Sequence, residues 1–178
     1  MQAAAFCLTN LFRRVTWRTG ALLCALALPP LYAQAVEPGD TAPVLELSAR
    51  QGPFDWHALK GQVVYLDFWA SWCGPCRKSF PWMNEVQKKF SGSGFKVVGI
   101  NLDKNSVDAD KFLAKTPAEF MLAFDSQGIS PRIYGVKGMP TSYLIGRNGK
   151  VLYRHSGFSE EGKAELEKAI KTALEEKS

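Results

Sequence analysis

Apolar residues recur along this chain in two rhythms that alternate. Residues 63–70 (VVYLDFWA) are continuously apolar except for Asp67, the pattern of a strand buried on both faces. The spacing then changes. Trp82, Val86 and Phe90 recur at helical intervals, Pro75 suits a first turn and Ser91-Gly92-Ser93-Gly94 stops the run, so a helix is predicted over 74–90 with Pro81 kinking it. Residues 95–101 read as a second buried strand. Ser106 is placed to cap a helix that carries Phe112 and Leu113 and ends before Pro117, and 120–124 reads as a third strand. An irregular or helical connector over 128–134 leads to Gly138-Met139-Pro140. Residues 141–145 and 151–155 flank Asn148-Gly149, a strong hairpin signal, and Ser159 followed by Glu160 and Glu161 opens a last helix whose Leu166, Ile170 and Leu174 face the core. Upstream, 44–47 and 54–56 around Gly52-Pro53 predict a small extra hairpin.

Strands alternating with helices, followed by a hairpin and a closing helix, predict an α/β fold with a mixed sheet covered by helices on both faces. Its site is expected at the carboxyl end of a central strand, where open sheets of this kind place their chemistry.

The first thirty-five residues change the picture of the ends and of the charge. They contain Arg13, Arg14 and Arg18 but no acid, an apolar run over 21–28 and the ending Ala33-Gln34-Ala35. This predicts a secretory signal peptide cleaved after Ala35, leaving one domain over 36–178. The apolar part is short and interrupted by Pro29-Pro30, whereas a permanent span needs about 20 apolar residues; an uncleaved inner-membrane tether is the alternative. Cys24 follows the bulky Leu23, which does not suit lipidation. Three of the 22 basic residues and none of the 17 acids precede Val36, so the remainder carries only +2. No basic run with interleaved aromatics survives to suggest nucleic acid binding.

Beyond residue 35 only Cys73 and Cys76 remain of the four cysteines. A structural zinc site needs four ligands, and His57 and His155 are isolated from the pair and from each other, so no metal is expected. A purely structural bridge would close almost no loop and stabilise little. A close pair between a buried strand and a helix start offers reversible chemistry instead, which is the redox reading of C-x-x-C.

The residues Asp67-Phe68-Trp69-Ala70, Trp72-Cys73-Gly74-Pro75-Cys76, Pro81 inside a helix and Met139-Pro140-Thr141 before a strand closely resemble a thioredoxin fold. With the leading hairpin, the "FWASWCGPC" block, an extra strand-helix segment between about 103 and 125, and "YGVKGMPTSYLIGRNGKV", the chain resembles the exported TlpA-like thiol-disulfide oxidoreductases of bacteria. The resemblance implies a thioredoxin-like mixed sheet with an N-terminal hairpin and an inserted strand-helix segment. Cys73, at a helix amino terminus that favours thiolate, is then the attacking nucleophile, and Cys76, one turn in, resolves the mixed disulfide. Asp67 is the proton carrier for Cys76, or a strand-end carboxylate bonded to backbone; burial should raise its pKa. Pro140 is expected to be cis, to face the dithiol and to expose the Met139 backbone for a substrate strand. The Met139 side chain either contacts the thiols or packs. Trp72, with Gly74 and Pro75, is expected in the docking surface, while Trp56, Trp69 and Trp82 read as packing. Lys60 is a candidate for tuning Asp67, and His57 and His155 read as surface or hairpin residues.

The resemblance implies a periplasmic monomer without cofactor that reduces disulfides of cysteine-bearing protein substrates, in cytochrome c or copper-site maturation, fed by a membrane protein that passes thiol electrons outward. The alternatives are a disulfide-introducing oxidase, distinguished only by its potential and its partner, and a thioredoxin-fold metal-delivery protein. Metal-delivery relatives resemble C-x-x-x-C with a distant histidine, unlike this spacing. A peroxidase of the same fold carries a threonine where Ala70 stands.

Overall fold

A computed structural model describes residues 35–176, so the predicted signal segment, apart from Ala35, lies outside the described residues. Strand β1 (Val63–Trp69) is central, flanked by β2 (Phe95–Asn101) in parallel and β4 (Thr141–Ile145) in antiparallel pairing. Strand β3 (Met121–Phe124) extends the parallel side and β5 (Val151–Ser156) the antiparallel side, giving the order β3-β2-β1-β4-β5. All seven residues of β1 are buried, which accounts for its unbroken apolar run.

Alternation along β1 divides the core in two. Val63, Tyr65 and Trp69 pack on one face against α1 (Gly74–Phe90), α2 (Ser106–Lys115) and α4 (Glu160–Glu175). Val64, Leu66 and Phe68 pack on the other against Leu45, Leu47, Phe54, Leu59 and Tyr134, the last on the short α3 (Ser130–Tyr134). The 128–134 connector is thus partly helical, ended by Gly135 in the left-handed region at φ 69°.

Four aromatics tie the inserted helix to the underside of the dithiol. Four pairs among Trp69, Phe80, Phe112 and Phe120 have ring centroids 4.8–5.2 Å apart, each adding about 0.5–1.5 kcal/mol beyond area burial. The β4–β5 hairpin closes through Gly149 (φ 77°), whose N–H donates to the Gly146 carbonyl at 2.9 Å. Ser159 caps α4, its Oγ accepting from Gly162 N–H at 3.2 Å.

Several boundaries differ from the sequence expectation. The leading hairpin is a bridged turn: Phe54 N–H donates to Leu47 O and Ala49 N–H to Gly52 O, with one bridge from Ser48 to Pro53 and no named strands. Ser48 also bridges to Phe124, so this segment spends its backbone groups on the edge strand β3. The cap of α2 is Asn105, whose Oδ1 accepts from Val107 N–H at 3.0 Å; Ser106 is the first helical residue. In α4 the buried positions are Leu166, Ile170 and Ala173, with Leu174 only partly buried.

Candidate active site

Strand β1 ends at Trp69, and a tight turn delivers Cys73 to the amino terminus of α1, with Cys73 N–H donating to Ala70 O at 3.0 Å. Cys73 is the N-cap of α1, and its Sγ accepts from Cys76 N–H at 3.2 Å. The two sulfurs are joined in a disulfide, with Cα atoms 5.3 Å apart. Cys73 retains 4% of its surface and Cys76 none, so an attacking group reaches the bridge from the Cys73 side. Gly74 and Pro75 are exposed on the first helical turn, and a Cβ on Gly74 would meet nothing within 4 Å.

Trp72 is 73% exposed beside the dithiol, whereas Trp69 and Trp82 are core residues and Trp56 packs edge-on against Phe54. Across the site, the Met139–Pro140 bond is cis. Thr141 Oγ1 donates to Gly138 O at 2.7 Å, and Gly157 N–H donates to Pro140 O at 2.8 Å, fixing the loop from both sides. Among the described residues neither backbone group of Met139 has a hydrogen-bond partner. Its side chain packs against both halves of the core, one of which includes the two cysteines.

Asp67 sits between Tyr65 and Trp69 on the β1 face that also packs the two cysteines. It is 1% exposed and its Oδ2 has no partner. Burial holds its carboxyl well above the ordinary carboxylate range, and no cation opposes this. Its strand neighbours in register are Gly99 on β2 and Ser142 on β4. Burial pushes the Tyr65 phenol up, the nearby Asp67 charge adds to that, and Ser142 opposes it. Lys60 does not take part: it is exposed in the turn before β1 and lines a cleft with Val64 and Tyr134, on the β1 face opposite Asp67. His57 is exposed in a 3-10 turn, and His155 stacks on Tyr153 along β5.

A second acid, missed in the sequence, organises the turn. Asp103, just beyond β2, accepts from Ser71 N–H at 2.9 Å, Ser71 Oγ at 2.9 Å and Asn101 Nδ2 at 2.8 Å. It thereby ties the loop carrying Trp72 to the inserted segment. The available signal was Asn101-Leu102-Asp103, two polar side chains where a buried strand exits beside the site. Among the described residues no three His, Cys, Asp or Glu side chains cluster to hold a metal ion.

Comparison with known proteins agrees with this geometry. The Redoxin family model matches residues 37–170. Thiol-disulfide oxidoreductase ResA of Bacillus subtilis is 32% identical over 149 residues, covering 79% of this chain and 83% of that protein. ResA of Geobacillus thermodenitrificans is 34% identical over 150 residues, covering 78% and 85%. Among solved structures, a candidate thiol:disulfide interchange protein DsbE from Chlorobium tepidum is 56% identical with a TM-score of 0.76, covering 79% of this chain and 99% of that one. With its sequence, its five-stranded mixed sheet and its paired cysteines all in agreement, the chain belongs to the Redoxin family and is a TlpA-like thiol-disulfide oxidoreductase of the thioredoxin superfamily.

Proposed function

We propose that this oxidoreductase works outside the cytoplasm as a reductase of protein disulfides, with Cys73 as nucleophile, Cys76 as resolving thiol and Asp67 as proton carrier. The observation that carries the assignment of roles is the asymmetry of the pair: Cys73 reaches the surface at a helix amino terminus while Cys76 and Asp67 lie beneath it. In the reduced protein the helix terminus favours the Cys73 thiolate. That thiolate attacks one sulfur of the substrate disulfide; the substrate S–S bond breaks, a mixed disulfide forms and the departing substrate thiolate takes a proton. Cys76 then gives its proton to Asp67 and attacks Cys73 Sγ. The second substrate thiol is released, two electrons have passed to the substrate, and the protein is left in the disulfide form seen here. A carboxyl raised by burial is closer in pKa to a thiol than an exposed one, which suits it to that transfer.

The unpartnered backbone of Met139 beside cis Pro140 suits pairing with an extended substrate segment, and exposed Trp72 supplies an apolar contact next to the sulfur. Repeated turnover in an oxidising compartment requires electrons from a membrane thiol donor, and the substrates proposed are oxidised cysteines of apocytochrome c or of copper-site proteins. Gly74-Pro75 supports the reducing direction through its family resemblance.

Equilibrium reduction potential tests the direction. A value near about −270 mV supports a reductase, and one near about −120 mV makes the protein an oxidant. Cys73→Ala is expected to abolish disulfide reduction and Cys76→Ala to accumulate mixed disulfides; unchanged turnover in either refutes the roles.

A further inference from the structure

A cleft of about 240 Å³ opens beside the dithiol, between the first turn of α1 and the inserted helix α2, lined by Ser71, Arg77, Asp108, Lys111, Phe112 and Lys115. We propose that it is a docking site for acidic side chains of the protein whose disulfide is exchanged, and so a determinant of substrate choice. Docking here presupposes exchange at Cys73 but not its direction.

Three cations and one acid line the cleft, and that acid does not neutralise it. Asp108 approaches Lys111 at 3.8 Å with both side chains more than half exposed, a pairing that contributes little in water. Among the described residues Arg77 and Lys115 have no acidic partner. Arg77 follows Cys76 directly, and its guanidinium lies 5.8 Å over the buried Phe112 ring, which orients its charge along the cleft wall. Lys111 and Lys115 stand one turn apart on α2. Other acids of the vicinity are already engaged: Asp103 by its three donors and Asp67 by burial. Beyond the cis proline a separate groove carries Lys137 and Arg154, of which Arg154 is paired with Glu37 at 2.8 Å. The dithiol is thus approached between rims that both carry positive charge.

The cleft also lies at a defined reach. Ser71 is held rigidly by Asp103 and precedes Cys73 by two residues, so their Cα atoms are at most about 7.6 Å apart. An extended substrate rises about 3.3 Å per residue. A chain whose cysteine meets Cys73 and covers Trp72 therefore brings the side chain about two or three residues away to the cleft. A carboxylate there meets Arg77 and both lysines.

The test uses the purified protein and three disulfide-linked peptide pairs of equal length, with Glu, Gln or Lys two and three residues from each cysteine. Specificity is read as the ratio of kcat/KM for the Glu peptide to that for the Gln peptide, so that any general loss of chemistry cancels. The ratio is expected to be about tenfold at low ionic strength. It should fall toward one at 1 M salt, where the Debye length is about 3 Å. It should also disappear in the Lys111→Glu/Lys115→Glu double variant, and the Lys111→Gln/Lys115→Gln variant should fall between. Equal kcat/KM for the Glu and Gln peptides in the wild type overturns the proposal. So does a loss with oxidised glutathione as large as with the Glu peptide, since the cleft would then bind free anions rather than a protein segment. Neutral hydroxyethyl disulfide separates the two levels: if the wild type does not exchange with it, the exchange chemistry fails and not the docking.

Discussion

Replacing Asp67 with Asn in the oxidised protein isolates a single buried proton. The two sulfurs are tied in the disulfide and do not titrate, and the Tyr65 phenol, pushed above its ordinary value, stays protonated throughout the working range. Gly99 and Ser142, the neighbours of Asp67 on the flanking strands, carry no titratable side chain. The folded carboxyl is held above its unfolded value by burial, so folding takes up a proton as soon as the unfolded carboxyl ionises. The contribution of Asp67 to stability is therefore fully present below about pH 4, the unfolded value, and is lost as pH rises toward the folded one. One proton gives a slope of about 1.36 kcal/mol per pH unit. Stability of Asp67→Asn minus that of wild type should climb with this slope from about pH 4.5 and level off where folded Asp67 ionises. At roughly 4 °C per kcal/mol for a domain of this size, thermal unfolding resolves it. The slope does not depend on any constant cost of burying an amide, and the other carboxylates cancel in the difference. A difference that stays flat between pH 4.5 and 7 refutes the account of Asp67 as a buried carboxyl without a cation. On the proposed mechanism the same variant also slows exchange at neutral pH, and an unchanged pH-rate profile removes Asp67 from the chemistry.

Asp103→Ala strands the Ser71 backbone N–H and the Asn101 amide, which should cost at least about 2 kcal/mol, whereas Ser71→Ala removes one side-chain donor and should cost about 1 kcal/mol; equal losses by chemical denaturation contradict the backbone tie. Burial acts to raise Asp125, but hydrogen bonds from Ser130 Oγ and from the N–H groups of Ser130, Ile129 and Gly128 outweigh it and hold the carboxyl low. Its stabilisation is thus present above the unfolded value and lost as pH falls through the folded one: Asp125→Asn should cost about 1.5–3 kcal/mol at pH 7, and less below pH 4. Gly99→Ala puts a Cβ 3.0 Å from Phe120 and 3.1 Å from Trp69 Nε1, and should lower stability by about 1–3 kcal/mol of overpacking, read as a shifted unfolding midpoint.

Much of the fold was legible because its signals are local. The unbroken apolar run of β1, the punctuation after Phe90 and the Asn148-Gly149 turn each fix an element without reference to distant partners. The differences arise where distant partners decide. The leading segment carries a turn signal at Gly52-Pro53, yet its backbone pairs partly with Phe124 on β3, so it closes a turn without building two strands. Asn105 and Ser106 are both good caps, and only the extended backbone of Asn105 selects between them. In the site, the pairing of Cys73 with Cys76 and the cis bond before Pro140 were readable from motifs. Asp103 was not, because its partners Ser71 and Asn101 mean nothing until the strand order brings the β1 and β2 exits together. Lys60 shows the converse: its closeness in sequence to the strand says nothing of which face of β1 it reaches, and the turn before Val63 sets it on the side of Val64, opposite Asp67.

The same strand order explains how one site can keep two opposed electrostatic environments. Asp67 and the dithiol share a β1 face whose neighbouring strands present glycine and serine at the level of the acid, so neither supplies a counter-charge and burial holds the carboxyl above its ordinary range. On the α2 side of the dithiol charge enters from outside the sheet, through Arg77 on α1 and Lys111 and Lys115 on α2, all exposed. A lysine at position 99 would reverse this arrangement: its Cβ would crowd Phe120 and Trp69, and its ammonium would draw the Asp67 proton away. On the proposed roles, keeping cations on the rim and a bare glycine beside the acid lets recognition and proton transfer be tuned separately. Charge reversal on α2 should alter which substrates are accepted without moving the pH at which Asp67 titrates, and a shift in that pH on reversing Lys111 and Lys115 would show that the two environments are coupled.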